Sequence, residues 1–243
     1  MIVLLMAGGL SKRFMKHSDT PKVIYPINGI PMIIHIINQV LKLNGVEKIF
    51  IIVNNVYYKK IKECVDNFID NNIIEYIFQD EPNGTGGAIK SSLSYIKKYN
   101  DNALIISGDT PYIKKETIHQ LVNKTNSMLI TKLDEPKHNG RIIIKNNSIT
   151  EIVEFKDCNE EEKNIKYVNC GIYNFEISNL LKFIPLLNNQ NKANEYYLTD
   201  IIKMINNDNT IINYYDLEKD KQIEIYNINT MDDLNKSLNI LML

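Results

Sequence analysis

Through its first half the chain alternates short apolar runs with segments of helical period, and that alternation limits the fold more than any other feature. Residues 1–5 read as a strand, and residues 32–43 carry apolar side chains at helical spacing after Pro31, with Gly45 as a stop signal. Residues 48–53 are β-rich, 57–69 form an amphipathic helical pattern, 73–78 a strand, 86–99 a helix, 103–107 a strand and 114–124 a helix. Strands separated by helices need crossover connections, which predicts a doubly wound, mostly parallel α/β sheet. After residue 127 the pattern changes to four short β segments, 128–133, 140–145, 148–155 and 166–174, with Asn146-Asn147 as a hairpin turn. Helical segments at 177–187 and 197–205 follow, and residues 157–164 are the most polar loop. The expectation is one domain over residues 1–243, in two halves (1–126 and 127–243), the second adding a small mixed β subdomain.

Doubly wound sheets bind ligands beyond the carboxyl ends of their strands. Three polar, glycine-containing segments follow strands there: Gly8-Gly9, residues 79–87 and Gly108-Asp109. Glycine lets backbone N–H groups turn toward an anion, and a nest of such groups holds phosphate oxygens. Arg13 and Lys22 add a planar fork and a point charge beside the first loop. The loop is neither a P-loop, since Gly-Lys-Ser/Thr is missing, nor G-x-G-x-x-G, since Ser11 stands at the second glycine. In isolation it also reads as a turn with solvated basic residues, and Lys22 as a surface lysine whose loss costs little stability.

The formal net charge of -1 gives no electrostatic case for nucleic acid or an anionic membrane. Apolar runs fall well short of the roughly 20 residues that span a bilayer, and residue 1 opens directly into a strand without a signal-peptide pattern. Three cysteines without a C-x-x-C pair and four histidines without ligand spacing argue for a reducing, cytoplasmic compartment and against structural zinc.

Laid out in order, these segments resemble the sugar-1-phosphate nucleotidyltransferases, and more narrowly the uridyltransferase domain of the bacterial bifunctional enzyme that makes UDP-N-acetylglucosamine. The resemblance is carried by Leu5-Met6-Ala7-Gly8-Gly9, Thr20-Pro21-Lys22, Gln79-Asp80-Glu81-Pro82-Asn83-Gly84-Thr85-Gly86, Ser107-Gly108-Asp109, Gly140-Arg141, Glu154-Phe155-Lys156-Asp157, Asn169-Cys170-Gly171-Ile172-Tyr173, Glu195 through Asp200, and Asn227. It departs from the family pattern at Ser11, Gly87, Ser107 and Cys170. The acetyltransferase half of the bifunctional enzyme is not expected, as the chain ends at Leu243.

The resemblance implies an N-acetylglucosamine-1-phosphate uridyltransferase with UTP and the sugar phosphate as partners, Mg²⁺ as cofactor and a homo-oligomer as a possible assembly. Another sugar-1-phosphate, or dTTP, is the alternative on the same scaffold. A non-catalytic sugar-nucleotide-binding protein is the alternative from another class. Arg13, Lys22 and Asp109 would be catalytic: Arg13 on the leaving phosphates, Lys22 on the α-phosphate and sugar phosphate. Met6, Ala7, Gly8, Gly9, Ser107 and Gly108 would line the nucleotide. Gln79 with the Gly84-Thr85 backbone would read the base, since an amide offers donor and acceptor together. Asp109 and Asn227 would hold the metal. Gly140, Glu154 and Asn169 would hold the sugar, with Tyr197 and Thr199 as its wall. Read without the resemblance, Asp109 is also a good turn aspartate, Glu154 a solvated strand residue, and Tyr197 and Thr199 the buried face and cap of a helix.

Overall fold

The computed structural model describes residues 1–10, 14, 20–70, 72–146 and 148–241, with side chains described as far as residue 238. Eleven strands and eight helices occur among them. In chain order these are β1 (Ile2–Met6), the hairpin β2 (Pro26–Ile27) and β3 (Ile30–Pro31), α1 (Met32–Val40), β4 (Lys48–Val53), α2 (Tyr58–Phe68), β5 (Ile74–Phe78), α3 (Thr85–Ile96), β6 (Asn102–Ser107) and α4 (Lys115–Val122). The second half holds β7 (Ser127–Lys132), β8 (Arg141–Lys145), β9 (Ser148–Val153), α5 (Glu160–Lys163), β10 (Tyr167–Glu176), α6 (Ile177–Phe183), α7 (Asp200–Asn207), β11 (Asn213–Asp216) and α8 (Met231–Leu241).

The main sheet runs in the order β11-β7-β10-β6-β1-β4-β5. β1, β4, β5 and β6 are mutually parallel, and β10 lies antiparallel between β6 and β7. β11 is parallel to β7, so β10 alone is reversed along this path. The mixed β region is thus continuous with the parallel sheet; only the hairpin β8–β9 branches away, through Val168 opposite Arg141. Asn146, at φ +51, begins the turn of that hairpin, while Asn147 lies outside the described residues.

Side chains alternate across a strand, and a parallel sheet covered by helices must be apolar on both faces. Ile2, Leu4, Phe50, Ile52, Ala103 and Ile105 join one buried cluster with Ile89 of α3, Leu180 of α6 and Ile201 of α7. Val3, Leu5, Ile49, Ile51, Leu104 and Ile106 join the other with Ile36 of α1, Ile61 of α2 and Ile118 of α4. A third cluster of Phe14, Ile27, Met32, Ile228 and Leu234 ties the early hairpin to the chain's last segment. That small cluster matters for the site, because it brings residues near 229 beside Lys22.

Several boundaries differ from the sequence reading for identifiable reasons. The 197–205 helix begins only at Asp200. Residues 196–198 are instead drawn against the glycine loop: Tyr196 N donates to Asn83 O (2.8 Å), Gly86 N to Tyr196 O (2.8 Å) and Leu198 N to Thr85 Oγ1 (3.1 Å). The 177–187 helix tightens into a 3₁₀ turn at Ile184–Leu186, where Pro185 has no N–H to donate. The polar 157–164 segment contains α5, whose start is a capping box: the Asn159 side chain accepts from Glu162 N and Glu162 Oε2 accepts from Asn159 N, both at 2.8 Å.

Candidate active site

The chain runs from β1 outward to β4 and β5, then jumps back to place β6 on the other side of β1. This is a topological switch point, and the carboxyl ends of β1 and β6 stand level there, Met6 opposite Ser107. A cleft of about 410 Å³ opens over it. Met6, Ala7, Gly8, Gly9, Lys22, Gln79, Gly84, Thr85, Ser107 and Asp109 all line this cleft, together with Leu10, Pro82 and Glu195. A larger cavity of about 640 Å³ between α4 and the Lys219–Ile225 turn is lined by none of the residues singled out from the sequence.

The glycine-rich floor is tight at Gly8, Gly84, Gly86 and Gly87, whereas a Cβ on Gly9 would meet nothing within 4 Å. A Cβ on Gly8 would stand 2.8 Å from Gln79 Oε1, one on Gly86 would stand 2.9 Å from Tyr196 O, and one on Gly87 would overlap Asn83 Oδ1. Gly84 adopts φ +111 and would bring a Cβ to 2.5 Å from Tyr196 O, so both conformation and space demand glycine at the start of α3. Buried Gln79 points Nε2 at Gly84 O (3.3 Å) and Asn83 Oδ1 (3.4 Å). Asn54, buried just past β4, fixes the first loop by donating to Gly8 O (2.8 Å) while its Oδ1 accepts from Tyr57 N (2.9 Å). Sequence reasoning gave Asn54 no role; its signal was an amide at a strand's carboxyl end, beside two other such ends.

Lys22 is not a surface lysine. Its side chain is 13% exposed, and Nζ donates to Asp109 Oδ2 at 2.8 Å and Asn229 Oδ1 at 3.0 Å. Burial opposes the charged form of Asp109, yet the Lys22 ammonium and hydrogen bonds from Lys22 and Ser107 outweigh it and hold the carboxyl below its ordinary value. Asp109 Oδ1 is buried and has no hydrogen-bond partner among the described residues, leaving a desolvated anionic oxygen available to a cation. The second oxygen beside it belongs to Asn229. Asn227 is exposed, and no contact joins it to Lys22 or Asp109 among the described residues. The chain is anchored between the two asparagines, where Ile228 N donates to Asp109 O (3.0 Å). Asn229 is then held by Asp233 Oδ2, which accepts from Asn229 N (3.0 Å) and Thr230 N (2.8 Å) at the start of α8. Arg13 lies outside the described residues.

Gly140, Glu154, Asn169 and Tyr197 do not line the cleft but form a second cluster. Glu154 Oε1 accepts from Thr199 Oγ1 (2.9 Å), and a Cβ on Gly140 would stand 3.4 Å from both carboxylate oxygens. Burial, with the nearby carboxylates of Asp200, Asp157 and Glu195, raises the Glu154 pKa above its ordinary value against the opposing Thr199 hydrogen bond. Glu195 faces the cleft and adds to this field, so the two clusters adjoin through it. Asn169 N donates to Gly140 O (3.0 Å), but its side chain is engaged within β10, donating to Tyr173 Oη (2.6 Å) and accepting from Gly171 N (3.0 Å). Burial, then the Asp157 carboxylate it bonds, raises the Tyr197 hydroxyl pKa.

Among the described residues no group of three or more His, Cys, Asp or Glu side chains gathers as a metal site, and no helix is long and apolar enough to cross a membrane. The available donors are one carboxylate and one amide, a set that suits a hard cation which completes its shell with phosphate oxygens and water.

Residues 2–221 match the nucleotidyl transferase family. Over 240 residues the chain is 41% identical to a probable UDP-N-acetylglucosamine pyrophosphorylase of Acanthamoeba polyphaga mimivirus, covering 96% of this chain and 92% of that protein. It is 38% identical to the bifunctional protein GlmU of Buchnera aphidicola subsp. Baizongia pistaciae (strain Bp), covering 91% of this chain and 48%, about half, of the relative. Among solved structures it shares its fold with a presumed glucose-1-phosphate thymidylyltransferase of Bacillus anthracis (TM-score 0.76, 19% identity, 99% and 95% of the two chains). It shares it also with apo UDP-glucose pyrophosphorylase (TM-score 0.73, 18% identity, 99% and 97%). The switch-point cleft with its glycine floor and buried Lys22–Asp109 pair is therefore carried by a nucleotidyltransferase, and the chain belongs to the nucleotidyl transferase family.

Proposed function

We propose that this protein transfers a uridylyl group from UTP to N-acetylglucosamine 1-phosphate, giving UDP-N-acetylglucosamine and pyrophosphate. The observation that carries the reading is the Lys22 ammonium bridging Asp109 and Asn229 at the mouth of a glycine-floored cleft. Support for the substrates comes from the names of the relatives that share about two-fifths of the sequence.

In this reaction an oxygen of the sugar phosphate attacks the α-phosphorus of UTP, and the bond from that phosphorus to the β-phosphate bridging oxygen breaks. The nucleophile is already an anion, so no general base is required. The protein's task is to hold two repelling anions in line and to stabilise the charge that develops. Lys22 is a point charge, held by Asp109 and Asn229, for the two reacting phosphates, and the main-chain N–H groups of the first loop cradle the triphosphate. Gln79 reads the uracil edge beside Gly84. Arg13 receives the leaving pyrophosphate. Glu154 and Gly140 face the sugar.

Asp109 and Asn229 would hold Mg²⁺, the part given to Asn227 from sequence passing to its neighbour two positions on. When bound, the ion supplies charge neutralisation at phosphate oxygens.

The test is a substrate matrix read by pyrophosphate release: UTP, dTTP, CTP and GTP against GlcNAc-1-P, GalNAc-1-P, GlcN-1-P and Glc-1-P. Highest kcat/KM for UTP with GlcNAc-1-P is the expected outcome. Preference for dTTP or another sugar phosphate selects the alternative substrate on this scaffold, and no release in any cell of the matrix leaves only a binding protein.

A further inference from the structure

Arg141 is among the largest fully buried side chains of the protein, at 2% exposure, and follows directly on Gly140. A buried guanidinium is normally matched by a carboxylate. Every hydrogen bond that Arg141 donates among the described residues ends instead on a main-chain carbonyl. Nη2 donates to Lys137 O (2.9 Å) and Lys163 O (3.4 Å), Nη1 to Pro136 O (3.4 Å) and Asn139 O, and Nε to Lys163 O (3.3 Å). One planar face lies over the Phe155 ring, 5.3 Å from its centroid, and His138 packs edge-on against the same ring. The 136–139 turn is shaped to this purpose: Lys137 takes φ +45, a left-handed conformation that L residues rarely adopt.

These contacts fall on the neighbours of the sugar-facing residues. The carbonyl of Asn139 precedes Gly140, and the Phe155 ring follows Glu154. Lys163 closes α5, the helix that follows the Glu154–Cys158 turn. Gly140 O in turn receives Asn169 N. A shift of the guanidinium would therefore move Gly140 and Glu154 apart, with no atom of Arg141 facing the cleft.

We infer that Arg141 is a positioning residue for the sugar end of the site, holding the Gly140 main chain at a fixed distance from the Glu154 carboxylate through a cage of carbonyls and one aromatic face. This rests on the sugar-phosphate reading of Gly140 and Glu154 given above. Lysine cannot take the place of arginine here, because a single ammonium cannot reach carbonyls spread over two segments and also lie flat on Phe155.

The test measures kcat and KM for both substrates, with melting curves, in wild type, Arg141→Lys, Arg141→Ala and Phe155→Leu, the last removing the aromatic ring that Arg141 and His138 share. Arg141→Lys should raise the KM for the sugar phosphate by about tenfold or more, with the nucleotide KM within about twofold, because only the sugar side loses its alignment. Phe155→Leu should raise the same KM by roughly threefold. Millimolar guanidinium chloride, well below denaturing levels, should restore the sugar-phosphate KM of Arg141→Ala and leave wild type unaltered. A folded Arg141→Lys with both KM values unchanged, or with both raised in parallel, would overturn the inference. If Arg141→Lys does not fold, Phe155→Leu decides by the same two criteria. A wild type that turns over no sugar-1-phosphate overturns the transferase reading and this inference together, whereas an active wild type with insensitive variants overturns the inference alone.

Discussion

Two largely buried carboxylates, Asp109 and Glu154, sit at adjoining ends of the candidate site and are pushed in opposite directions. Burial works against the charge of both. At Asp109 a lysine 2.8 Å away more than compensates, and the group stays an anion with one oxygen that has no hydrogen-bond partner among the described residues. At Glu154 the neighbours are Asp200, Asp157 and Glu195, and the side chain's hydrogen-bond partner among the described residues is a hydroxyl. The same burial thus leaves one carboxylate an anion held by a lysine, and raises the pKa of the other among like charges. Environment, more than residue type, divides their roles.

Breaking the first of these should have the largest effect. Asp109→Asn should lower kcat by a factor on the order of a hundred or more, the scale on which a key electrostatic stabiliser is lost. EDTA should do the same to wild type, and activity surviving both would remove the cation from this end. Lys22→Ala should lower kcat as well, and it should also lower the melting temperature. It leaves a carboxylate without its cation, a loss of about 3–5 kcal/mol for a fully buried pair and nearer the lower figure for side chains 13% and 15% exposed. A melting curve unchanged from wild type would return Lys22 to the surface role its sequence context suggests.

The pair Asn229→Ala and Asn227→Ala locates the boundary of the Asp109 region. The first should cut kcat/KM by about tenfold or more, roughly 1.4 kcal/mol of transition-state stabilisation, and the second should stay within about twofold of wild type. The reverse order would restore Asn227.

Glu154→Gln gives the smallest effect and the opposite sign. A carboxyl whose folded-state pKa is raised contributes stability that is complete below its ordinary value of 4.5 and lost as pH rises through the folded value. At pH 8 the amide should therefore melt higher than wild type, by about 1–3 °C, even as the sugar-phosphate KM worsens. The difference should shrink as pH falls toward 4.5 and the wild-type carboxyl takes up its proton. A lower melting temperature at pH 8 would mean that Glu154 is paired rather than crowded.

The parallel half of the sheet was legible because burial on both faces leaves continuous aliphatic runs such as 48–53, bounded by glycine and polar loops. β11 was not, because Asn213–Asp216 is a four-residue edge strand with no aliphatic residue, placed by its tertiary pairing with β7. α8 did carry a signal, Thr230 followed three residues later by Asp233, and the structure uses it as a reciprocal cap in which Asp233 N donates to Thr230 Oγ1 (3.1 Å). The choice between Asn227 and Asn229 could not be read locally. Both flank the buried Ile228, and only its tertiary hydrogen bond to Asp109 O decides which amide faces Lys22. The burial of Lys22 was hidden for the same reason, since its partners lie 87 and 207 residues away.

The reversal of β10 between β6 and β7 has a consequence for how the protein is made. β6 ends at Ser107 and β7 at Lys132, but they cannot be joined until β10 is inserted between them, and β10 ends at Glu176. At roughly 5–20 residues per second, a growing chain carries these two apolar strands with open edges for seconds before their common neighbour emerges. A nascent chain stalled before residue 167 holds the glycine loop, Lys22 and Asp109 but neither Asn229 nor the complete sheet, so the Lys22–Asp109 end of the candidate site is encoded early and completed late.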